Sequence, residues 1–271
     1  MDEMQNQDAP KMSSVDDSQE EHELSHTDKL VGVFSEPAVM FSKTAKFPPK
    51  TSDWIVPLLI TIAASILAII VSFSNPDVRQ EMRQENEKQI QKMVDEGQLT
   101  QEQADQQAEM TENFMGGPFF YVTTSLSTII VMFIFFFLVT GVFHLSAKLI
   151  FKGDATYKDS MVAYGLPYYI LIIQIIVGLI LTLAMGKAFR STSVAAFLSL
   201  DKQSIVHFIL SKIDIFSIWF YVVVGIGFAK MSKSADTKKY IILIVGLWLG
   251  FALLFFALGK YLPFLERFNA A

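Results

Sequence analysis

Apolar residues fall into five long runs separated by polar stretches of unequal length. The runs are Trp54–Phe73, Pro118–Phe143, Met161–Gly186, about Phe208–Ala229, and Tyr240–Gly259. A bilayer core ~30 Å thick is crossed by ~20 helical residues at a rise of ~1.5 Å each. The first, second, third and fifth runs reach that length with no charged residue inside. The pattern predicts an all-α polytopic membrane protein, a bundle of five transmembrane helices. The fourth run is marginal. Its charge-free stretch, Ile215–Ala229, is too short to cross alone. The span must draw in Ile213 and part of Phe208–Ser211, which sets Asp214 about one turn inside the outer interface.

The polar stretches divide the rest of the chain. Residues 1–28 form an acidic leader with almost no large apolar side chains, expected to be disordered for want of surface to bury. In residues 29–53, Leu30, Val31, Val33 and Phe34 precede Ser35-Glu36-Pro37, then Val39, Met40 and Phe41. Ser35 is the expected N-cap, with Pro37 in the first turn. Two readings fit this amphipathic segment: a helix lying on the membrane surface, or a helix packed against the bundle. Residues 54–262 are the five-span domain, and residues 263–271 a short tail. Between the first two spans lies a polar insert, residues 75–117, expected as a helical hairpin outside the lipid. Asn75-Pro76 starts it, Gly97 interrupts it, and Thr100-Gln101-Glu102-Gln103 is a capping-box pattern that restarts a helix. Gly116-Gly117-Pro118 ends it.

Composition and charge sharpen this picture. The net charge of −5 misleads as an average, because most acids sit in the leader and the insert. Lys43, Lys46 and Lys50 precede span one. Lys148, Lys152 and Lys158 follow span two, and four lysines fall within ten residues after span four. Juxtamembrane lysines mark the cytoplasmic side. The N-terminus is therefore expected inside, and the insert and C-terminus outside. This is the topology of a multi-pass protein in, for example, a bacterial inner membrane. The polar start of the chain shows no cleavable signal peptide, so span one is expected to act as an uncleaved signal anchor. Cysteine is absent, which excludes disulfides, thiolate nucleophiles and cysteine metal sites.

Little catalytic chemistry is on offer. The four histidines are His22, His26, His144 and His207, and no GxSxG, HExxH or P-loop pattern occurs. No catalytic residue, cofactor or metal site is expected. Ionisable groups in lipid are functional suspects by default. The candidates are Asp214 at the start of span four, Gln174 in mid-span three and His144 at the end of span two. Asp214 reads as an ion ligand or, more simply, as an acid favoured at a helix N-terminus. Helix packing leaves clearer traces. Gly246 and Gly250 form a GxxxG in span five, Gly225 and Ala229 a small-xxx-small pair in span four, and Pro167 predicts a kink in span three. The lysines suit anionic headgroups, and nothing points to nucleic acid.

Three stretches carry a family likeness. They are Val33-Phe34-Ser35-Glu36-Pro37 through Phe41; Phe151-Lys152-Gly153-Asp154-Ala155-Thr156 leading to Tyr164-Gly165-Leu166-Pro167; and Asp214-Ile215-Phe216-Ser217-Ile218-Trp219 followed by Gly225-Ile226-Gly227. Over residues 30–262 the chain resembles the YIP family, the Ypt-interacting-protein-type membrane domain, and most of all its prokaryotic branch. The resemblance implies five spans with a cytosolic N-terminus. Eukaryotic relatives are implied to bind Rab-type small GTPases and to shape vesicle membranes. They carry an acid-Leu-Tyr-Gly-Pro stretch ahead of span one. Here Ser52-Asp53-Trp54-Ile55-Val56-Pro57 stands in that place, so a GTPase partner is not carried over.

These observations favour a non-enzymatic membrane scaffold or adaptor. It would bind other membrane proteins or organise lipid, as a single chain or a homo-oligomer, in membrane trafficking or envelope homeostasis by resemblance. The alternative is a transporter or channel subunit using Asp214 and Gln174, which requires those polar groups to meet inside the membrane.

Overall fold

A computed structural model describes residues 22–115, 117–189, 191–198, 200–201 and 204–259. Most of the acidic leader and the 263–271 tail therefore lie outside the described residues, as do Gly116, Arg190 and Lys202. The chain is all helical. Helices α1 (His26–Ser35) and α2 (Pro37–Thr44) precede the first span, α3 (Ser52–Ser74). The insert is the pair α4 (Pro76–Asp95) and α5 (Gln101–Phe114). Then come α6 (Pro118–Phe151), α7 (Tyr157–Gly165), α8 (Tyr168–Met185), α9 (Ile205–Ser211), α10 (Ile215–Met231) and α11 (Thr237–Gly259).

Among the described residues, α3, α6, the α7–α8 unit and α11 are each long and apolar enough to cross a membrane. The fourth run is not one continuous helix. It is α9 and α10, meeting at 60° across a break at residues 212–214. Counted as one broken span, the pair gives the fifth crossing. The break has a local cause. Asp214 is in an extended conformation and caps α10, accepting from the backbone N–H of Phe216 at 2.9 Å and Ser217 at 3.3 Å.

Sequence signals set the other helix ends. Asn75 accepts from the N–H of Asp77 at 2.9 Å and starts α4 directly after α3. Thr100 and Gln103 form the expected capping box of α5. Gly97, at φ +72, makes the turn between α4 and α5, and Arg83 bridges to Glu112 at 2.6 Å across the hairpin. Glu81 accepts from the backbone N–H of Ala188 at 2.6 Å, tying the insert to the loop after α8. Two expectations at the N-terminus are corrected. The cap of α2 is Glu36, not Ser35, which ends α1 and donates its hydroxyl to Val31 O at 3.0 Å. Helix α1 also begins inside the expected leader, held by a Ser25–Asp28 capping box.

The amphipathic segment packs against the bundle, the second of its two readings. Val33, Met40 and Phe41 are buried, and α2 lies along α10. Helix α10 is central, touching α2, α7, α8 and α11. An aromatic core joins the spans: Tyr164 meets Phe136 at 5.4 Å, Phe143 at 5.8 Å and Phe220 at 5.7 Å between ring centroids. The Phe143 and Phe220 contacts are edge-on and the Phe136 contact is tilted, and such ring pairs add to the burial of the rings themselves. The Phe133–Phe137 run divides by face. Phe136 is fully buried, while Phe135 and Phe137 are exposed where lipid would lie.

Candidate functional site

Two of the polar residues singled out in the sequence meet in the structure. Asp214 is 2 % exposed. Its Oδ1 takes the two cap bonds. Its Oδ2 accepts from Gln174 Nε2 at 2.9 Å and from Thr192 Oγ1 at 2.9 Å. Gln174 Nε2 also donates to Thr192 Oγ1 at 3.2 Å, which closes a ring of three side chains. A carboxylate offers about four acceptor positions, and here four donors occupy them. Among the described residues no Lys, Arg or His pairs with Asp214. Seventeen residues separate Tyr157 from Gln174 and Asp214 from Met231, or about 25 Å of helix. Thr192 escaped the sequence reading, since a threonine in a loop between spans carries no signal of its own.

His144 is not part of this cluster. Its Nδ1 lies 2.9 Å from Ser160 Oγ, and its ring stands edge-on to Tyr157. These contacts pin α6 to the start of α7. Pro167 and Leu166 separate α7 from α8, yet the two helices together still read as one crossing. Pro167 has no N–H to give to the carbonyl of Ala163. That carbonyl faces Gly227 of α10, where an added Cβ would sit only 2.9 Å away.

The glycines sort differently from their motifs. A Cβ on Gly225 would fall 2.6 Å from the Cα of Ile241, so α10 and α11 touch there backbone to backbone. Ala229, one turn on, is fully buried. Gly246 and Gly250 have nothing within 4 Å of such a Cβ and are exposed. The GxxxG of α11 therefore faces no neighbouring span among the described residues. Gly165 makes an approach that no motif advertised, with its Cβ position 2.5 Å from Trp54 Cβ.

A second polar cluster was not visible in the sequence at all. Lys29 of α1 is 2 % exposed and pairs with Asp53 of α3 at 2.7 Å. Asp53 is equally buried and also faces His26 Nδ1 at 3.4 Å. His26 Nε2 reaches the Tyr169 hydroxyl of α8 at 2.6 Å. Glu23 bridges Lys29 at 3.3 Å and Lys50 at 2.7 Å. The Lys50 ammonium holds the Glu23 carboxyl below the ordinary carboxylate range. This lock fastens α1 to the basic end of the bundle. Leader charges normally read as solvated, and only the fold reveals that these are paired and buried.

What the polar groups can do is limited. Among the described residues no group of three His, Cys, Asp or Glu could hold a metal ion. Each buried cluster satisfies itself with donors and acceptors of the same chain. A family model described as the Yip1 domain matches residues 31–259. Neither a curated protein nor a solved structure matches the chain.

Proposed function

The chain belongs to the Yip1 domain family, and from that premise we propose a membrane scaffold or adaptor that binds other membrane proteins or organises lipid. It is an integral, multi-pass membrane protein without catalytic machinery. One observation carries the scaffold reading. The Asp214 carboxylate is saturated by Phe216, Ser217, Gln174 and Thr192, so no acceptor position remains for a passing ion. Its work is to end α9, start α10 and join α10 to α8. Trafficking or envelope homeostasis is the setting the resemblance suggests.

The transporter reading is kept because of the broken helix. Polar groups at a break between half-helices are where transporters bind their cargo. The two readings part on Asp214→Asn. Asparagine keeps the cap, and a flip of the Gln174 amide restores its bond to the new side chain. The expected cost is about 1 kcal/mol or less. The variant should accumulate, fold and keep the partners that photo-crosslinking captures in native membranes. Sealed vesicles should show no solute uptake that depends on the protein. A folded Asp214→Asn protein that loses its cellular phenotype would put the transporter reading first.

Orientation is the second expectation. Lys43, Lys46, Lys230 and Lys233 gather at one end of the bundle. The insert sits at the other end of α3 and α6. The excess of lysine supports a cytoplasmic position for the first end. The C-terminus is then external, in a membrane such as a bacterial inner membrane. Single cysteines at positions 233 and 96, probed in intact cells with an impermeant thiol reagent, should label at 96 only. Labelling at 233 alone would invert the topology.

A further inference from the structure

We propose that α9 does not cross the membrane but lies embedded in one leaflet, at the insert end of the bundle, with its apolar face against acyl chains. Helix α9 has 7 residues and α10 has 17. At ~1.5 Å per residue, α10 alone is about 25 Å long. Helix α9 is inclined to it by 60°, so it adds only about 5 Å along the same axis. The pair thus reaches the ~30 Å of a hydrocarbon core with α9 running mostly sideways.

The polarity of α9 is inverted for a helix in water. Ile205, Val206 and Ile209 share one face, and each is more than half exposed. Phe208 and Ser211 lie on the other face, half-buried. There Phe208 stacks on Phe256 of α11 at 4.6 Å, and the Ser211 hydroxyl donates to Phe208 O at 2.7 Å. A surface helix in water turns its apolar stripe inward, and only lipid favours the reverse. Val194 and Phe197, from the 3-10 turn Val194–Phe197 packed beside α9, are exposed and apolar too.

The contact with α11 fixes the depth. Nineteen residues separate Thr237 from Phe256, or about 28 Å of helix from the lysine-rich end. Phe208 therefore stands at the far edge of the core, the end at which Glu81 of the insert holds the N–H of Ala188. Leu253, one turn before Phe256, is exposed as well, so the patch on α9 continues the lipid-facing surface of α11.

The backbone around the break meets the demand that lipid makes, that polar groups pair within the protein. Ser204 accepts from the N–H of His207 at 3.1 Å. The N–H groups of Lys212 and Ile213 donate to Ile209 O at 3.1 Å and Leu210 O at 3.2 Å, and Ile213 O accepts from the N–H of Val194 at 3.0 Å. Asp214 takes the N–H groups of Phe216 and Ser217. A helix lying this way displaces lipid from one leaflet and leaves the other untouched.

The proposal deepens the lipid-organising half of the scaffold reading and rests on it for the membrane setting. The chain has no cysteine, so nitroxide labels go to single-site variants Ile205→Cys, Ile209→Cys, Leu249→Cys and Met110→Cys. The full chain is placed in nanodiscs of phosphatidylcholine with phosphatidylglycerol. Power saturation then compares collisions with oxygen, which concentrates in lipid, and with a nickel chelate, which stays in water. Leu249, exposed and about 18 Å along α11, marks mid-membrane. Met110, exposed on the insert, marks water. Labels at 205 and 209 should favour oxygen, as at 249, but at shallower depth and within about 3 Å of each other along the membrane normal. Val206, on the same face, replaces either position if its cysteine variant does not accumulate. Nickel-dominated collisions at 205 and 209 would place α9 in water and overturn the proposal. Poor access to both reagents would reveal a protein cover, a second copy or another partner, and overturn it as well. A depth difference of about 6 Å, that of an upright helix, would make α9 part of a crossing. None of these failures touches partner capture or solute uptake, on which the scaffold reading stands.

Discussion

An Asp53→Ala protein is expected to lose about 3–5 kcal/mol of stability, the cost of stranding one member of a buried ion pair. The loss arises because Lys29 is left at 2 % exposure without the carboxylate at 2.7 Å. His26 loses its partner as well. Glu23, at 3.3 Å and less deeply buried, recovers only part of the interaction. Denaturant titration in mixed micelles measures the total. Amide hydrogen exchange localises it, and the amides of α1 should exchange much faster than those of α10. A double-mutant cycle tests the cause. Lys29→Met and Asp53→Leu should each be damaging, and their combination less so than either alone, since two apolar side chains need no partner. Singles that change stability by under about 0.5 kcal/mol would mean that α1 is not locked to the bundle through this pair.

The second large effect belongs to the contact between α10 and α11. Gly225→Leu should destabilise by about 3 kcal/mol, because its side chain would have to displace the backbone at Ile241. Gly250→Leu should change stability by less than about 0.5 kcal/mol, since that position opens onto free space. Thermal unfolding of the two variants in the same detergent compares them directly. The reverse order, Gly250 sensitive and Gly225 tolerant, would mean that α11 presents its other face to the bundle.

The helices were legible in the sequence because lipid imposes one simple demand, an uninterrupted apolar length. That demand located α3, α6, α8 and α11, whereas at Ile215–Ala229 it led to one span extended back through Ile213, where the structure has two helices meeting at 60°. The capping box at Thr100 and Gln103 was legible for a similar reason, being a local pattern with a local cause. Contacts across the chain were not. Asp214 and Gln174 each stood out as polar in an apolar run, yet 40 residues separate them, and their meeting depends on how α8 and α10 pack. Glycine spacing shows that a helix face is smooth, not that anything lies against it. Hence of the two motifs only the Gly225–Ala229 pair makes a close contact, Gly246 and Gly250 make none, and Gly165 makes one that no motif marked. Lys29 and Asp53 were hidden in a region whose charges look solvated, because burial there comes from α8 and α3 together.

The bond from Asp214 to Gln174 and Thr192 also bears on how the protein is made. Helix α10 starts on a carboxylate, and alone in lipid that carboxylate would keep its cap but lack its other two donors. Both of those donors precede it in the chain. So do α2, α7 and α8, three of the four helices that bury α10. By the time a ribosome delivers this segment to the insertion machinery, its receptor already stands in the bilayer, and only α11 remains to close over it. The crossing that carries a carboxylate at its break thus finds two of that group's hydrogen-bond donors among its predecessors. Both donors to the Asp214 Oδ2 are in place before Asp214 is made, so a chain with α8 deleted internally would leave that oxygen without its Gln174 partner.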